Sequence, residues 1–154
     1  MSTGHCGCGN VSFEISGQPL FRMRCHCTIC QRFNQAPFAD VVIFRADDVG
    51  LPAEGTVDYQ SYKAPPNVQR GRCAACGQAA FERFEMALFP KLRMVPAALL
   101  PSDELPDVRF DAFYDKRVRD IEDNKPKHEG FWASQRAFLQ LWRASRAGKR
   151  FSAN

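Results

Sequence analysis

The sequence CAACG at residues 73–77 decides how this chain folds. Its two cysteines are separated by two residues, a spacing that lets both thiolates bind one zinc ion while amides of the turn point at the sulfurs. The glycine that follows lets the chain bend sharply, often with a positive φ. Because this turn supplies only two ligands and a closed structural zinc site needs four, cysteines distant in sequence are expected to meet it.

The remaining cysteines lie upstream in two clusters. One pair, Cys6 and Cys8, occurs in HCGCGN, and Cys25, Cys27 and Cys30 occur in RCHCTICQR. The total of seven is odd, so the cysteines cannot all pair in internal disulfides, and cytosolic thiols are normally kept reduced. Metal binding or catalysis is therefore the leading explanation for them.

Two divisions of these clusters between metal sites are open. Either the two-cysteine clusters combine and leave a separate three-cysteine site, or the central cluster contributes to a four-ligand site and leaves the others unused. The first division uses every cysteine. Its closed, structural site would comprise Cys6, Cys8, Cys73 and Cys76. Its other site would be formed by the thiolates of Cys25, Cys27 and Cys30. Three ligands leave the fourth position of the ion open, as expected of a catalytic zinc.

The spacing within the central cluster favours convergence of its sulfurs. On an extended strand, Cys25 and Cys27 would share one face while His26 points to the other, and Cys30 would return through a turn. His26 is therefore expected to support the site or lie at the surface, not to bind the metal. The alternatives are a metal-free redox cluster and buried cysteines that act as small apolar residues.

Alternating apolar and polar residues, together with β-branched and aromatic residues, predict a strand-rich chain. The predicted strands cover residues 11–15, 21–26, 38–44, 57–62 and 108–114. Residues 79–89 fit either a strand or a helix, and a strand is favoured. The prolines at positions 90, 96, 101 and 106 exclude a long helix in that segment.

The last predicted element is a helix over residues 131–149. Its apolar stripe would consist of Phe131, Phe138, Leu141 and Trp142. The chain is thus expected to be mainly β, with a zinc-binding domain over residues 1–130 and a basic amphipathic helix over residues 131–154 packed on that domain.

The composition is that of one globular domain. The 154 residues are 45% hydrophobic and 25% charged, and no apolar stretch approaches the roughly 20 residues of a membrane-spanning helix. Residues 1–10 lack the basic and apolar regions of a secretory signal, so a cytoplasmic location is expected. The formal charge of +4 arises from the C-terminal segment, whose basic residues are Arg136, Arg143, Arg146, Lys149 and Arg150. A solvated helix face is favoured there over a nucleic-acid site.

Three motifs in order, C-x-C-G with V-x-F, C-H-C-x-x-C and C-x-x-C-G, resemble the glutathione-dependent formaldehyde-activating enzyme family, which also includes centromere protein V. The motifs occur between Gly4 and Gly77. The resemblance implies an Mss4-like fold of packed antiparallel sheets clipped by zinc. It also implies two zinc ions: a structural one on Cys6, Cys8, Cys73 and Cys76, and a catalytic one on Cys25, Cys27 and Cys30.

The activity that this resemblance implies is that of a carbon–sulfur lyase. Formaldehyde would add to the thiol of glutathione to give S-hydroxymethylglutathione, or leave it in the reverse direction. Zinc in the open site would bind the glutathione sulfur or polarise the aldehyde oxygen. The expected partners of the glutathione carboxylates are Arg22, Arg24, Arg32, Lys63 and Arg70. The alternative is a non-enzymatic zinc module that binds a protein or nucleic acid through the C-terminal helix.

The sequence departs from the family pattern near the expected site. Arg72 stands where an aromatic residue usually precedes the C-x-x-C turn, and QRFNQAPF at residues 31–38 replaces a small, glycine-containing segment. The basic C-terminal helix looks like an addition. These departures leave the cysteines in place, so they bear on the substrate and not on the metal.

Overall fold

The chain folds into two β-sheets and two α-helices within residues 1–148, the part of the sequence that the computed structural model describes. The strands are β1 (Ser2–His5), β2 (Ser12–Ile15), β3 (Phe21–Cys25), β4 (Ala39–Arg45), β5 (Val57–Gln60), β6 (Val68–Cys73), β7 (Ala79–Phe84), β8 (Leu92–Pro96) and β9 (Val108–Ala112). The helices are α1 (Thr28–Asn34) and α2 (Gly130–Gly148). Neither helix is long and apolar enough, within this range, to cross a membrane.

The larger sheet has seven strands in the order β5-β6-β7-β8-β4-β3-β9, and the smaller sheet is the antiparallel hairpin β1-β2. Neighbouring strands of the larger sheet are antiparallel except for β3 and β9, which run parallel. The predicted mainly β fold, with packed sheets and a C-terminal helix, is confirmed.

One core lies between the hairpin and one face of the seven-stranded sheet. Phe13 of β2 meets Phe81 of β7 edge to face, with ring centroids 5.2 Å apart. Cys6 and Cys73 belong to the same buried cluster, so each sheet brings cysteines to the seam between them. This packing stabilises a two-stranded hairpin that would be marginal in isolation.

The opposite face of the larger sheet packs against α2. The Phe138 ring meets Phe21 of β3 edge to face at 5.1 Å between centroids, and Trp142 lies 5.8 Å from Phe89. The predicted apolar stripe is confirmed for Phe138, Leu141 and Trp142, all of which pack on the buried residues of this face. The helix thus covers the side of the sheet that carries Cys25.

The prediction that Phe131 shares this stripe is wrong. Its side chain is 49% exposed, and the aromatic rings that it contacts are those of Phe113 and Trp132. Burial along α2 begins at Ser134, whose hydroxyl accepts the backbone N–H of Phe113 at 2.8 Å, so the first turn lies outside the packed interface. Of the predicted basic residues, Lys149 and Arg150 lie outside the described part of the chain.

Several elements do not follow from the sequence patterns: β1, β6, β8 and α1. Strand β6 has the sequence VQRGRC, in which arginines interrupt the apolar alternation. Strand β8 ends at Pro96, in the segment where prolines obscure any periodicity. Helix α1 has only seven residues, too few to show a helical repeat. The strand expected at residues 79–89 is present as β7 but ends at Phe84.

Candidate metal centres and the adjoining site

The first cysteine cluster joins the two sheets. Cys6 and Cys8 lie between β1 and β2, whereas Cys73 ends β6 and Cys76 lies in the turn that follows. Their four Sγ atoms lie within 4.8 Å of one another, with Cys6 and Cys76 at 3.3 Å and Cys8 and Cys73 at 3.5 Å. Four thiolates placed tetrahedrally about 2.3 Å from one zinc ion would be ~3.8 Å apart. This four-cysteine cluster can therefore hold a metal ion, and its donors fit zinc.

The C-x-x-C turn has the predicted local geometry. Gly77 has a φ of +73°, and the Cys76 N–H donates to the Cys73 Sγ at 3.5 Å. The Asn10 side-chain amide donates to the same sulfur at 3.6 Å. Burial opposes ionisation of Cys73, but the backbone amides of Cys76 and Ala75, aided by neighbouring thiols, lower the pKa of Cys73 to about 6. The turn therefore favours the thiolate that a metal needs.

The second cluster lies where β3 meets α1. Cys25 ends β3, Cys27 is the N-cap of α1, and Cys30 lies in the first turn of that helix. Their three Sγ atoms also lie within 4.8 Å of one another, so this three-cysteine cluster can hold a metal ion through three ligands. All seven cysteines are free of disulfides, and the grouping that uses every cysteine is the one that the fold brings together.

The prediction that Cys27 shares a strand face with Cys25 is wrong. The strand ends at Cys25, and Cys27 instead caps α1, with its Sγ accepting the N–H of Cys30 at 3.3 Å. A helix cap, not the alternation of a strand, brings the three sulfurs together.

The three thiols interact strongly with one another. The thiols of Cys25 and Cys30 lower the pKa of Cys27 to about 2, and the charge of Arg70 acts in the same direction. Interaction with Cys27 raises the pKa of Cys25 to about 12, and both neighbours raise the pKa of Cys30. Cys27 therefore ionises first, and a bound cation is needed before all three can be thiolates together.

His26 supports the three-cysteine cluster without joining it. It is 1% exposed, and its Nε2 lies 2.8 Å from Oδ1 of Asp111 on β9. Asp111 also accepts two hydrogen bonds of 2.7 Å from Arg24. Burial opposes ionisation of Asp111, but the bonds from His26 and Arg24 hold the pKa of Asp111 below its usual range. The sequence signal for Asp111 is weak: one acidic residue within an otherwise apolar strand end.

Comparison with known proteins identifies a family whose matched region contains both cysteine clusters. A sequence model of the family described as glutathione-dependent formaldehyde-activating enzyme matches residues 1–116, three-quarters of the chain and both cysteine clusters. The chain belongs to this family. The match to the formaldehyde-activating family ends before α2, so the C-terminal helix lies outside it.

Solved structures are also similar to this member of the formaldehyde-activating family. One of them is the crystal structure of a Rhodobacter sphaeroides protein, a structural-genomics target, with a TM-score of 0.53 and 21% sequence identity. The similarity covers 70% of this chain and 97% of that chain, and it concerns the fold alone. No curated protein matches the sequence.

The arginines expected to meet a substrate of the formaldehyde-activating type fall into two groups. Arg22 donates to both carboxylate oxygens of Asp40, at 2.7 and 2.8 Å. Arg24 bridges Asp111 and Asp123, with the second contact at 2.6 Å. The donors of these two arginines are engaged by the protein's own carboxylates, which makes them less available to a substrate than arginines without such partners.

Two other arginines gather around one aromatic ring. The guanidinium carbons of Arg32 and Arg70 lie 5.3 and 5.8 Å from the centroid of Tyr62. Tyr62 in turn packs edge to face on Phe33 of α1 at 5.8 Å. Lys63 is exposed in the loop after β5. Arg32 and Arg70 are therefore the expected partners that the fold places beside the three-cysteine cluster.

Glu82 is a buried carboxylate that the sequence patterns do not single out. It lies on β7 directly opposite Arg70 on β6, is 2% exposed, and has its Oε2 3.1 Å from Nε of Arg70. Burial raises the pKa of Glu82 to about 7, although the charge of Arg70 lowers it and that of Cys27 raises it further. The sequence signal that could have identified Glu82 is its position between Ala80 and Phe84, two apolar residues on the same face of the strand.

Proposed function

We propose that this protein is a zinc-dependent carbon–sulfur lyase of the S-hydroxymethylglutathione synthase type. In the proposed reaction, the glutathione sulfur bonds to the carbon of formaldehyde, and the thiol proton ends on the former aldehyde oxygen. The same reaction runs in reverse. The observation that supports it most directly is the three-cysteine cluster, in a chain whose family is described by formaldehyde activation.

We assign a zinc ion to each cysteine cluster. The structural ion would be held by Cys6, Cys8, Cys73 and Cys76, and the catalytic ion by Cys25, Cys27 and Cys30. Zinc bound by three thiolates supplies a Lewis acid with one position left for a substrate atom. The donor chemistry of both clusters supports this assignment, because soft thiolates favour zinc over hard cations.

The chain's own residues hold the reacting groups in place. Cys25 and Cys30 are buried, and the helix cap fixes Cys27 through the Cys30 amide. The contact between His26 and Asp111 fixes the chain between Cys25 and Cys27. A rigid site of this kind lowers the barrier by holding a small thiol and a small aldehyde together, since orientation alone contributes several kcal/mol, roughly 7 to 11 in favourable cases.

The proposed setting is the cytoplasm, with glutathione or a similar small thiol as the partner and with residues 1–130 forming the zinc-binding domain. A reducing compartment suits seven free cysteines, because oxidation to disulfides would remove metal ligands. In this proposal neither a membrane nor a nucleic acid takes part.

The test of this function is adduct exchange between glutathione and formaldehyde, followed by NMR with the zinc-loaded protein. We expect exchange to be faster than the uncatalysed rate, and the acceleration to be lost in Cys27→Ser. Thr28→Ala is the matched control, because Thr28 is exposed and adjacent to Cys27 but offers no sulfur. Exchange at the uncatalysed rate with two zinc ions bound would remove formaldehyde activation as the function.

The competing function is a zinc module that binds nucleic acid through α2. Arg136, Arg143 and Arg146 are exposed on that helix, which is the observation in its favour. Salt-dependent binding to duplex DNA that disappears when all three are replaced by glutamine would support it. These replacements keep the apolar residues that pack α2 on the sheet and remove only the stacking of Arg146 on Trp142, whereas deletion of the helix would expose the core.

A further inference from the structure

Arg70 is a nearly buried cation that is not fully used by the fold. Its side chain is 11% exposed, and Glu82 approaches it on the Nε side at 3.1 Å. Within residues 1–148 its terminal Nη atoms form no hydrogen bond, and its Nε is buried without one. A guanidinium in this state has donors left for an anion, and burying it without a further partner is costly.

Tyr62 brings a second guanidinium to the same place. Arg32, two residues after Cys30 in α1, lies 5.3 Å from the Tyr62 centroid, and Arg70 lies 5.8 Å from it. Arg32 is exposed and, within the described residues, forms no ion pair. Stacking on an aromatic ring orders a guanidinium without using its N–H donors.

A third arginine nearby has a different, structural role. Arg72 lies 5.2 Å from the Phe33 centroid and donates to the carbonyl oxygens of Gly77 and Arg32, at 3.0 and 3.2 Å. It thereby connects α1 to the C-x-x-C turn with its donors engaged. Arg32 and Arg70 are the two cations of this group whose terminal donors remain available.

These cations lie beside the three-cysteine cluster. Arg32 and Phe33 follow Cys30 on the same short helix, and Phe33 packs on Tyr62. From the sheet side, Arg70 lies 5.8 Å from the Tyr62 centroid, and Tyr62 packs on Phe33, three residues after Cys30. Arg70 and Arg32 therefore meet at Tyr62, beside the short helix that carries Cys30.

We propose that Arg70 and Arg32, ordered by Tyr62 and Glu82, form a subsite that binds a carboxylate of the thiol substrate beside the three-cysteine cluster. This inference rests on the proposed function and extends it by naming the residues that select an acidic thiol. A planar carboxylate matches the fork of guanidinium donors, and one buried charge-assisted contact changes affinity by roughly tenfold to a hundredfold.

The first test compares two thiols in the formaldehyde exchange reaction: glutathione, which carries carboxylates, and 2-mercaptoethanol, which carries none. For Arg70→Met we expect the KM for glutathione to rise by about tenfold or more, while kcat and the rate with 2-mercaptoethanol change less than about threefold. An equal loss with both thiols, or no loss with glutathione, would overturn the subsite.

The matched control is Arg83→Met. Arg83 is also a β-strand arginine stacked on a tyrosine, 4.1 Å from the centroid of Tyr59, but it belongs to the opposite face of the sheet. This variant is expected to leave KM and kcat unchanged with both thiols. Because Arg70→Met removes the partner of buried Glu82 and risks misfolding, Arg32→Met provides a second test on an exposed residue, with the same selective loss expected for glutathione.

The second test measures binding without chemistry. S-methylglutathione keeps the carboxylates but has no free thiol, so its binding to the zinc-loaded protein, measured by calorimetry, reports the subsite alone. We expect about tenfold weaker binding in Arg70→Met and in Arg32→Met, and none of this loss in Arg83→Met. Failure of wild type to bind it would overturn the subsite, whereas binding with no exchange activity would overturn only the proposed function.

Discussion

At the scale of single residues, Cys27 serves the fold and the site with one atom. Its Sγ caps α1 by accepting the Cys30 N–H, and the same atom belongs to the three-cysteine cluster. N-caps are usually Ser, Thr, Asp or Asn, so a thiolate in this position is an unusual choice with an added chemical use. Cys27→Ser therefore keeps a good cap while removing a soft metal ligand, which makes it a clean variant for separating folding from chemistry.

Glu82 gives a pH dependence of stability that can be measured. Its folded pKa, about 7, lies above the ordinary value of 4.5, so the folded state holds this proton more tightly than the unfolded chain. The stabilisation is complete below about pH 4.5 and is lost as the pH rises through 7. We expect the free energy of unfolding of wild type to fall by on the order of 2 to 3 kcal/mol relative to Glu82→Gln over this interval.

Urea unfolding of the zinc-loaded protein between pH 5.5 and 8 provides the measurement. The control is Glu54→Gln, which removes a carboxyl that is exposed in the turn before β5 and, within the described residues, forms no ion pair. It should reproduce the wild-type pH dependence. Parallel curves for wild type and Glu82→Gln would show that Glu82 titrates normally.

Residues that act through local spacing are predictable, and those that act through the fold are not. The spacing of the cysteines predicts both clusters, and Gly77 predicts the sharp bend after the turn. By contrast, Arg24 reads as the exposed side of a strand or a partner for substrate, yet it pairs with Asp111, 87 positions away. Glu82 is likewise defined by its neighbour across the sheet, which no local pattern in the sequence reveals.

At the scale of elements, α2 is held by a few aromatic contacts on one face. Phe138 packs on Phe21, and Trp142 packs near Phe89. The helix also touches β9 and β3, the strands next to the three-cysteine cluster. Its packing therefore supports the strand that carries Cys25, although the family match ends before it.

Two substitutions in α2 test which residues hold the helix. Phe138→Ala should lower the free energy of unfolding by about 2 kcal/mol, less than the 3 to 5 of a fully buried Phe, because the side chain is only partly buried. Trp132→Ala removes a larger ring that is 80% exposed, and it should change stability by less than about 0.5 kcal/mol. Urea unfolding of both variants measures these free energies, and an equal loss of stability in the two variants would contradict this packing.

Elements with a clean hydrophobic period are predicted from the sequence, and short or charged ones are not. The alternation around Phe13 and Phe21 predicts β2 and β3, and the apolar spacing in the last segment predicts α2. Strand β6 is not predicted from the hydrophobic pattern, because its arginines face α1 and Tyr62 and not an apolar core. The turn expected after Cys27 is instead α1, since a seven-residue helix leaves no repeat to detect.

At the scale of the whole molecule, the four-cysteine cluster connects two sheets that share no strand pairing. Cys6 and Cys8 come from the hairpin and Cys73 and Cys76 from the seven-stranded sheet. Apart from this cluster, packing such as Phe13 on Phe81 joins them. In the proposed two-zinc protein, the ion at this seam would add to that packing and to the backbone hydrogen bonds that join β2 to residues 48–50.

The two clusters should therefore respond differently to the loss of one thiol. Cys73→Ser is expected to unfold the domain, because structural zinc contributes on the order of 10 to 16 kcal/mol, as much as the whole stability of most domains. Cys27→Ser is expected to stay folded and to bind one zinc ion where wild type binds two. Elemental analysis with circular dichroism checks both outcomes, and a wild-type stoichiometry of one would refute the second metal centre.

The order in which the chain is synthesised adds a requirement to this architecture. Cys8 leaves the ribosome 65 residues before Cys73, a delay of about 3 to 13 s at roughly 5 to 20 residues per second. Throughout that interval the hairpin lacks Cys73 and Cys76, and β7, β8 and β9 of the larger sheet have not been made. The nascent hairpin thus presents two reduced thiols to the cell, and correct assembly depends on their being kept from oxidation until the second pair emerges.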